Sequence, residues 1–312
     1  LIKIDELTRR YGELTAVDAV SIDIARGEVV GLLGHNGAGK TTIMKMLTGF
    51  LEPTAGSIVV DGLRVGAPTA AVRRRIGYLP ENCPLWPEMT VLELLEYAAA
   101  LHDVPLRSRR QAIASALQRT ELRDKALATI ATLSRGYRQR VGVAQAILHS
   151  PDIVVLDEPT NGLDPTQILH MRALIGELAQ RATVIVSTHI LQEVQAVCGR
   201  VVILRAGQKV VDARLADLQR NAGLRLTVDR GPEQLWPVVQ SVPGAGQLRL
   251  LGSEGGRYHY ALEAAEALAP QLAAAVHGAG IALAALYPEQ RTLETVFAEV
   301  NAAGTTGQRH AA

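Results

Sequence analysis

Apolar residues along this chain recur in two rhythms. Val17–Ile24 alternates apolar and polar positions, the period of a half-buried strand. Val29–Leu33, Ser57–Val60, Ile153–Leu156, Val184–Ser187 and Val201–Leu204 are short strand-like runs, several of them continuous in Val and Ile, as strands covered on both faces are. Lys40–Leu47, Gln167–Gln180 and Leu191–Val197 carry helical spacing between them. The alternation predicts an α/β fold with a mainly parallel sheet wrapped by helices. From about Asn82 to Ser150 the strand pattern stops. Three amphipathic stretches follow, TVLELLEYAAALHDV, RRQAIASALQRTEL and GYRQRVGVAQAILHS, and predict a helical insertion in the sheet domain.

After about Asn221 the pattern changes again. Leu224–Val228 predicts a strand, Glu233–Val239 a helix, Gln247–Leu251 and Arg257–Ala261 two strands, Ala264–His277 a helix and Ile281–Leu286 a strand. The order βαββαβ is that of a small α+β, ferredoxin-like domain. A short helix over Leu293–Val300 and a frayed tail complete the chain. The expected organisation is residues 1–220, 221–303 and a tail at 304–312, with the helical subdomain at about 82–150.

Composition narrows the classes. The 312 residues are 48% hydrophobic and 20% charged, so each domain can bury a core, and the net charge of +1 gives no footing for a nucleic-acid partner. The run Arg73-Arg74-Arg75 reads as a solvated face. The two cysteines, Cys83 and Cys198, lie far apart without a CxxC or Cys/His cluster, which fits a reducing cytoplasm rather than a zinc site. No window offers about twenty uninterrupted apolar residues.

The chemistry enters directly after the run Val29–Leu33. Residues 34–42 read GHNGAGKTT, and Gly34, Gly39, Lys40 and Thr41 satisfy G-x-x-x-x-G-K-[ST] between a strand and a helix. Glycines let the backbone N–H groups curl around phosphates, Lys40 adds a point charge for the β/γ oxygens, and Thr41 offers a hydroxyl to Mg²⁺. A second anchor is IVVLDE, residues 153–158, where Asp157 is placed for the metal's hydration shell and Glu158 to polarise a water. A third stretch, LSRGYRQRV at residues 133–141, opens a helix with Ser134 and Gly136 at its start. It too is built to hold a phosphate.

GHNGAGKTT, GYLPEN, LSRGYRQRV, VVLDEPTNGLD and STH occur in this order over roughly residues 1–220, and there the chain resembles the nucleotide-binding subunits of ABC transporters. The resemblance implies a P-loop ATPase using ATP and Mg²⁺. It also implies two subunits stacked head to tail, each ATP lying between the loop of one and LSRGYRQRV of the other. By the same resemblance, Asn36, Gly37, Ala38 and Thr42 join the nucleotide loop, Tyr11 stacks on adenine, Val17 lies near the ribose, and Ser134 and Gly136 touch the γ-phosphate in trans. Asp164 belongs to the segment crossing the dimer seam, and His189 contacts the γ-phosphate. Catalysis is thereby expected of Lys40, Glu158 and His189, and metal contact of Thr41, Glu81 and Asp157.

Three positions depart from the family pattern, Arg135 for a glycine and Tyr137 for a glutamine in LSRGYRQRV, and Glu81 for a glutamine in GYLPEN. LPEN, LSRGYRQR and RTLETVF resemble the branch serving gliding-motility-associated and copper-enzyme-maturation exporters, whose ATPase pairs with a separate integral-membrane permease. The implied location is the cytoplasmic face of the inner membrane, as a peripheral subunit pairing with an identical or paralogous ATPase. Trp86, between two prolines in ENCPLWPEMT, reads either as part of a permease groove or as a local core residue. A rival class, an ATP-gated clamp on DNA or ribosomes, lacks the expected coiled-coil insertion or tandem repeat, and a kinase or GTPase leaves LSRGYRQR unexplained. A Ser/His/Asp hydrolase is disfavoured because no G-x-S-x-G elbow occurs.

Overall fold

The computed structural model describes residues 2–66, 70–218, 223–289 and 292–298. The chain begins with β1 (Ile2–Tyr11), β2 (Leu14–Ile24), β3 (Val29–Leu33), α1 (Lys40–Leu47), β4 (Ala55–Val60), β5 (Leu63–Arg64), α2 (Ala70–Arg73) and β6 (Ile76–Leu79). Three helices follow, α3 (Val91–Leu101), α4 (Leu106–Arg119) and α5 (Arg135–Ile147). The sheet then resumes with β7 (Ile153–Asp157), α6 (Pro165–Ala179), β8 (Thr183–Thr188), α7 (Leu191–Val197), β9 (Arg200–Arg205), β10 (Gln208–Arg214) and α8 (Leu215–Leu218). Two compact units result, Leu1–Leu215 and Ala216–Ala312.

In the first unit the central sheet runs β10-β9-β3-β8-β7-β6, with β9, β3, β8, β7 and β6 parallel and β10 antiparallel at one edge. Val, Ile and Leu side chains of β7 and β8 are buried along their whole length, because the helices that follow β6 and β7 cover one face and α1 with strands β1, β2 and β4 covers the other. This is the α/β core that the strand-helix alternation predicts. The alternating strands β2 and β4 do not join that sheet. They form an antiparallel sheet in the order β2-β1-β4-β5, and their half-buried rhythm belongs to such a layer. β1 is absent from the pattern-based reading because its alternation is interrupted. The register slips between Ile4 and Leu7, Leu7 and Arg9, and Arg9 and Arg10, and Glu6 takes φ 46°.

Helices α3, α4 and α5 stand between β6 and β7. Leu94, Leu95, Ile113, Leu117, Val141 and Ala144 fill one core with the facing sheet. α3 is started by a capping box in which the Thr90 hydroxyl accepts from Glu93 N at 3.2 Å and Glu93 Oε2 accepts from Thr90 N at 2.8 Å.

The second unit comprises β11 (Leu224–Val228), α9 (Pro232–Gln240), β12 (Leu248–Glu254), β13 (Arg257–Leu262), α10 (Ala269–Gly278) and β14 (Leu283–Pro288). Its sheet order β12-β13-β11-β14, antiparallel throughout, is the ferredoxin-like arrangement. Leu224, Leu226 and Val228 turn to the helices and bury with Leu235, Val239, Leu272 and Val276. The expected helix at Ala264 instead starts at Ala269, after a 3₁₀ turn over Glu266–Leu268, with Pro270 in its first turn. Residues 293–298 are helical. The end of that expected helix at Val300 and the tail at 304–312 lie outside the described residues.

Candidate functional site

The glycine-built loop sits between β3 and α1. Gly39 precedes α1 at φ 102°, no side chain caps the helix, and its first turn holds no acidic residue. The leading N–H groups therefore face the loop, and the helix end carries positive partial charge. Gly37 takes φ 81° in open space, while a Cβ on Gly39 would stand 2.7 Å from the Ala16 carbonyl oxygen. A side chain would strain the backbone at the first and clash at the second. The Lys40 side chain is only 6% exposed. Its Nζ donates to the Gly34 carbonyl at 2.7 Å and lies 3.6 Å from Glu158 Oε1.

Asp157 ends β7 fully buried. One of its oxygens accepts from the Ser187 hydroxyl on β8, and Oδ2 has no hydrogen-bond partner among the described residues. Glu158 follows at φ 49°, a strained backbone for a non-glycine residue. Its N–H donates to the Ser187 carbonyl and hydroxyl, both at 3.1 Å. Glu158 Oε2 stands 2.9 Å from His189 Nδ1. Ser187, unassigned in the sequence reading, thus fixes both acidic residues; its signal was its place in STH, two residues before the histidine.

Tyr78 on β6 reports the local charge. Burial, reinforced by the charges of Asp157 and Glu81, pushes its phenol well above the ordinary range. A cation there would offset that negative charge, and a buried carboxylate oxygen stands unpaired for it. Among the described residues no group of three or more His, Cys, Asp or Glu could hold a metal. The unpaired Asp157 oxygen fits Mg²⁺, which takes few protein oxygens and fills its sphere with water and phosphate.

Tyr11, Asn36 to Thr42, Glu81, Glu158 and His189 border one cleft, together with Leu14 and Asn161, which sequence reasoning did not select. Tyr11 is 45% exposed, with the Arg9 guanidinium 4.6 Å from its ring centroid. Val17 is fully buried beneath the cleft, its Cγ2 3.3 Å from where a Gly39 Cβ would be. Gly34 sits behind the loop, with room for no Cβ beside the Leu204 carbonyl.

Ser134, Gly136 and Asp164 do not border this cleft. They form a second locus. Ser134 caps α5, accepting from Tyr137 N at 3.4 Å, and Asp164 caps α6, accepting from Gln167 N at 2.9 Å. Gln167 lies against buried Gly136, so that a Cβ there would meet its Oε1 at 2.2 Å. Arg135 lays its guanidinium over Gly162, where a Cβ would stand 2.5 Å from Arg135 Cζ. The departure at Arg135 thus has a physical counterpart, since it clasps the loop that leads to Asp164. Both thiols are inert toward this chemistry, as burial pushes Cys83 up to about 11 and Cys198 up to about 12.

A lysine sunk in a glycine loop, with an acidic pair delivered by a parallel strand of the same sheet, defines a P-loop nucleoside triphosphatase. The ABC transporter family model matches residues 17–161. Over 224 residues the chain is 37% identical to the ABC transporter ATP-binding protein NatA of Bacillus subtilis, covering 70% of this chain and 91% of that protein. It is 35% identical to the Nod factor export ATP-binding protein I of Ralstonia nicotianae, over 70% and 68% of the two chains. Among solved structures, the dimeric ABC transporter cassette MJ0796 superposes with a TM-score of 0.65 at 27% identity, over 69% of this chain and 99% of that one. The chain belongs to the ABC transporter ATP-binding proteins: it is an ATP-binding and ATP-hydrolysing transporter subunit that works with Mg²⁺.

Proposed function

We propose that this ATPase closes as a pair around two ATP molecules and thereby drives a separate membrane permease. The observation that carries the reading is the separation of the two loci. Ser134, Gly136 and Asp164 are pre-shaped by caps and close packing, yet they stand apart from the cleft holding Lys40. A second copy, placed as in a dimeric cassette, supplies the missing half. In the joined site Lys40 and the N–H groups of residues 36 to 42 hold the phosphates, and Tyr11 receives the adenine. His189 contacts the γ-phosphate, and Glu158 takes a proton from the attacking water. Thr41, Asp157 and Glu81 would hold Mg²⁺, which would supply positive charge to offset the negative charge of the phosphates. Closure depends on the γ-phosphate, so hydrolysis releases the pair.

The pairing is tested in the Glu158→Gln protein, where ATP should convert monomer to dimer by sedimentation velocity. Ser134→Arg should prevent that conversion while leaving ATP binding to the monomer intact. A chain that stays single with ATP and still hydrolyses at full rate would overturn the reading. At the metal position, Glu81→Gln is expected to keep turnover within about an order of magnitude, because either side chain offers Mg²⁺ an oxygen. A shift of the Mg²⁺ optimum in the same assay would report the altered charge.

The permease contact is placed on the helical insertion. Glu81, Asn82, Leu85 and Pro87 line a groove with Arg135 and Arg138 of α5. Trp86 beside it is 42% exposed and packs edge-on against Tyr97 at 5.3 Å, which favours the contact role over the core one. Among the described residues no helix is long and apolar enough to cross a membrane, and the subunit is assigned to the cytoplasmic face through its permease. Similarity to a Nod factor export protein supports an exporter, and RTLETVF the gliding-motility and copper-maturation branch. Copurification of a multi-helix membrane protein tests this placement; recovery with ribosomes or DNA instead would favour a clamp.

A further inference from the structure

Glu193 lies in the first turn of α7, 3% exposed. Among the described residues no cation pairs with it. A buried carboxylate without a counter-ion is costly, and its hydrogen bonds must then hold something in place. Oε2 accepts two hydroxyls, Thr160 Oγ1 and, at 3.2 Å, Thr188 Oγ1. Oε1 has no partner. The two threonines come from different segments. Thr160 stands two residues after Glu158, at the head of the loop to Asp164, and Thr188 stands immediately before His189. The Thr188 hydroxyl donates to Glu193 and accepts from Ile190 N at 3.0 Å. The peptide on each side of His189 is thus fixed through one oxygen.

We infer that Glu193 is a positioning residue for hydrolysis, tying the loop after Glu158 to the segment bearing His189 so that Glu158 Oε2 and His189 Nδ1 hold their 2.9 Å contact. The inference rests on the reading of Glu158 and His189 as the hydrolytic pair. Glu193 itself touches neither, and it acts only through Thr160 and Thr188. Movement of the Thr160–Asp164 loop on pairing therefore reaches His189 through a single carboxylate oxygen.

The test uses steady-state ATPase kinetics and ATP-driven pairing of the full chain. Glu193→Leu keeps the volume and removes the acceptor; it is expected to lower kcat about tenfold while KM for ATP stays within about twofold, the pattern of a misplaced reacting group. Pairing in the Glu158→Gln background should persist. Glu193→Gln retains an acceptor oxygen and should keep kcat within about threefold. Thr160→Val and Thr188→Val should each reproduce the kcat loss in part, and Thr160→Val should add nothing to Glu193→Leu. The threonine variants decide the matter should Glu193→Leu fail to fold. Unchanged kcat in the Leu or valine variants, equal losses in Glu193→Gln and Glu193→Leu, or a parallel rise in KM with loss of pairing would overturn the inference. Glu158→Gln measured alongside separates the two readings: full turnover there sinks the hydrolytic pair, whereas its loss with intact Glu193→Leu turnover sinks the inference alone.

Discussion

Glu158→Gln is expected to lower ATP turnover by about two orders of magnitude or more while ATP still binds. The side chain is buried, its backbone is strained to φ 49°, and Ser187 holds its N–H twice. Gln fits the same space and can still face His189 Nδ1 and Lys40, so the substitution removes basicity and leaves the frame. Hydrolysis should stop at the stage where the nucleotide is clasped, and the variant should accumulate as an ATP-loaded pair. Phosphate release under saturating ATP, read beside gel filtration with and without Mg-ATP, checks both halves. Turnover within tenfold of the parent would move the base to another residue.

Lys40→Met should weaken ATP binding by about a hundredfold or more, since it takes a cation from the phosphates inside a site that excludes water. The fold pays as well. Lys40 and Glu158 are each 6% exposed with 3.6 Å between them, so removal of the lysine takes the cation from a buried carboxylate and leaves it the His189 contact alone. Thermal unfolding should therefore start earlier in Lys40→Met than in the parent, and the double variant Lys40→Met/Glu158→Gln should recover part of that loss. Equilibrium titration with a fluorescent ATP analogue reads the binding half. A double variant no more stable than Lys40→Met would show that the carboxylate costs the fold nothing once the lysine is gone.

Legibility followed periodicity. Val29–Leu33, Lys40–Leu47 and Leu191–Val197 match their elements end for end, because each is bounded by loop chemistry that reads locally. β1 was illegible since Glu6 breaks its rhythm, β6 since four residues after Arg73-Arg74-Arg75 carry too little pattern, and β10 since QKVVDAR is a polar edge strand. Motif order disclosed the nucleotide loop and the acidic pair. The contacts that fix them were hidden, because Ser187 bonds Asp157 and Glu158, and Thr160 bonds Glu193, across 29 to 33 residues of sequence that no local window contains. The same holds for Arg135, which reads as a lapse from the signature until Gly162 is found beneath it.

The nucleotide loop is shaped from behind by segments distant in sequence. Gly39 abuts the Ala16 carbonyl and Gly34 that of Leu204. The hairpin turn at Ala206-Gly207 accepts from Asp18 N at 2.9 Å and donates to Ala38 O at 3.2 Å. GHNGAGKTT is therefore a casting, and β2 with the β9–β10 turn is its mould. Transplanting those nine residues into another strand-helix junction would carry the letters without the curvature, and lineages that lengthen that turn must re-tune the cradle without altering a single letter of the motif.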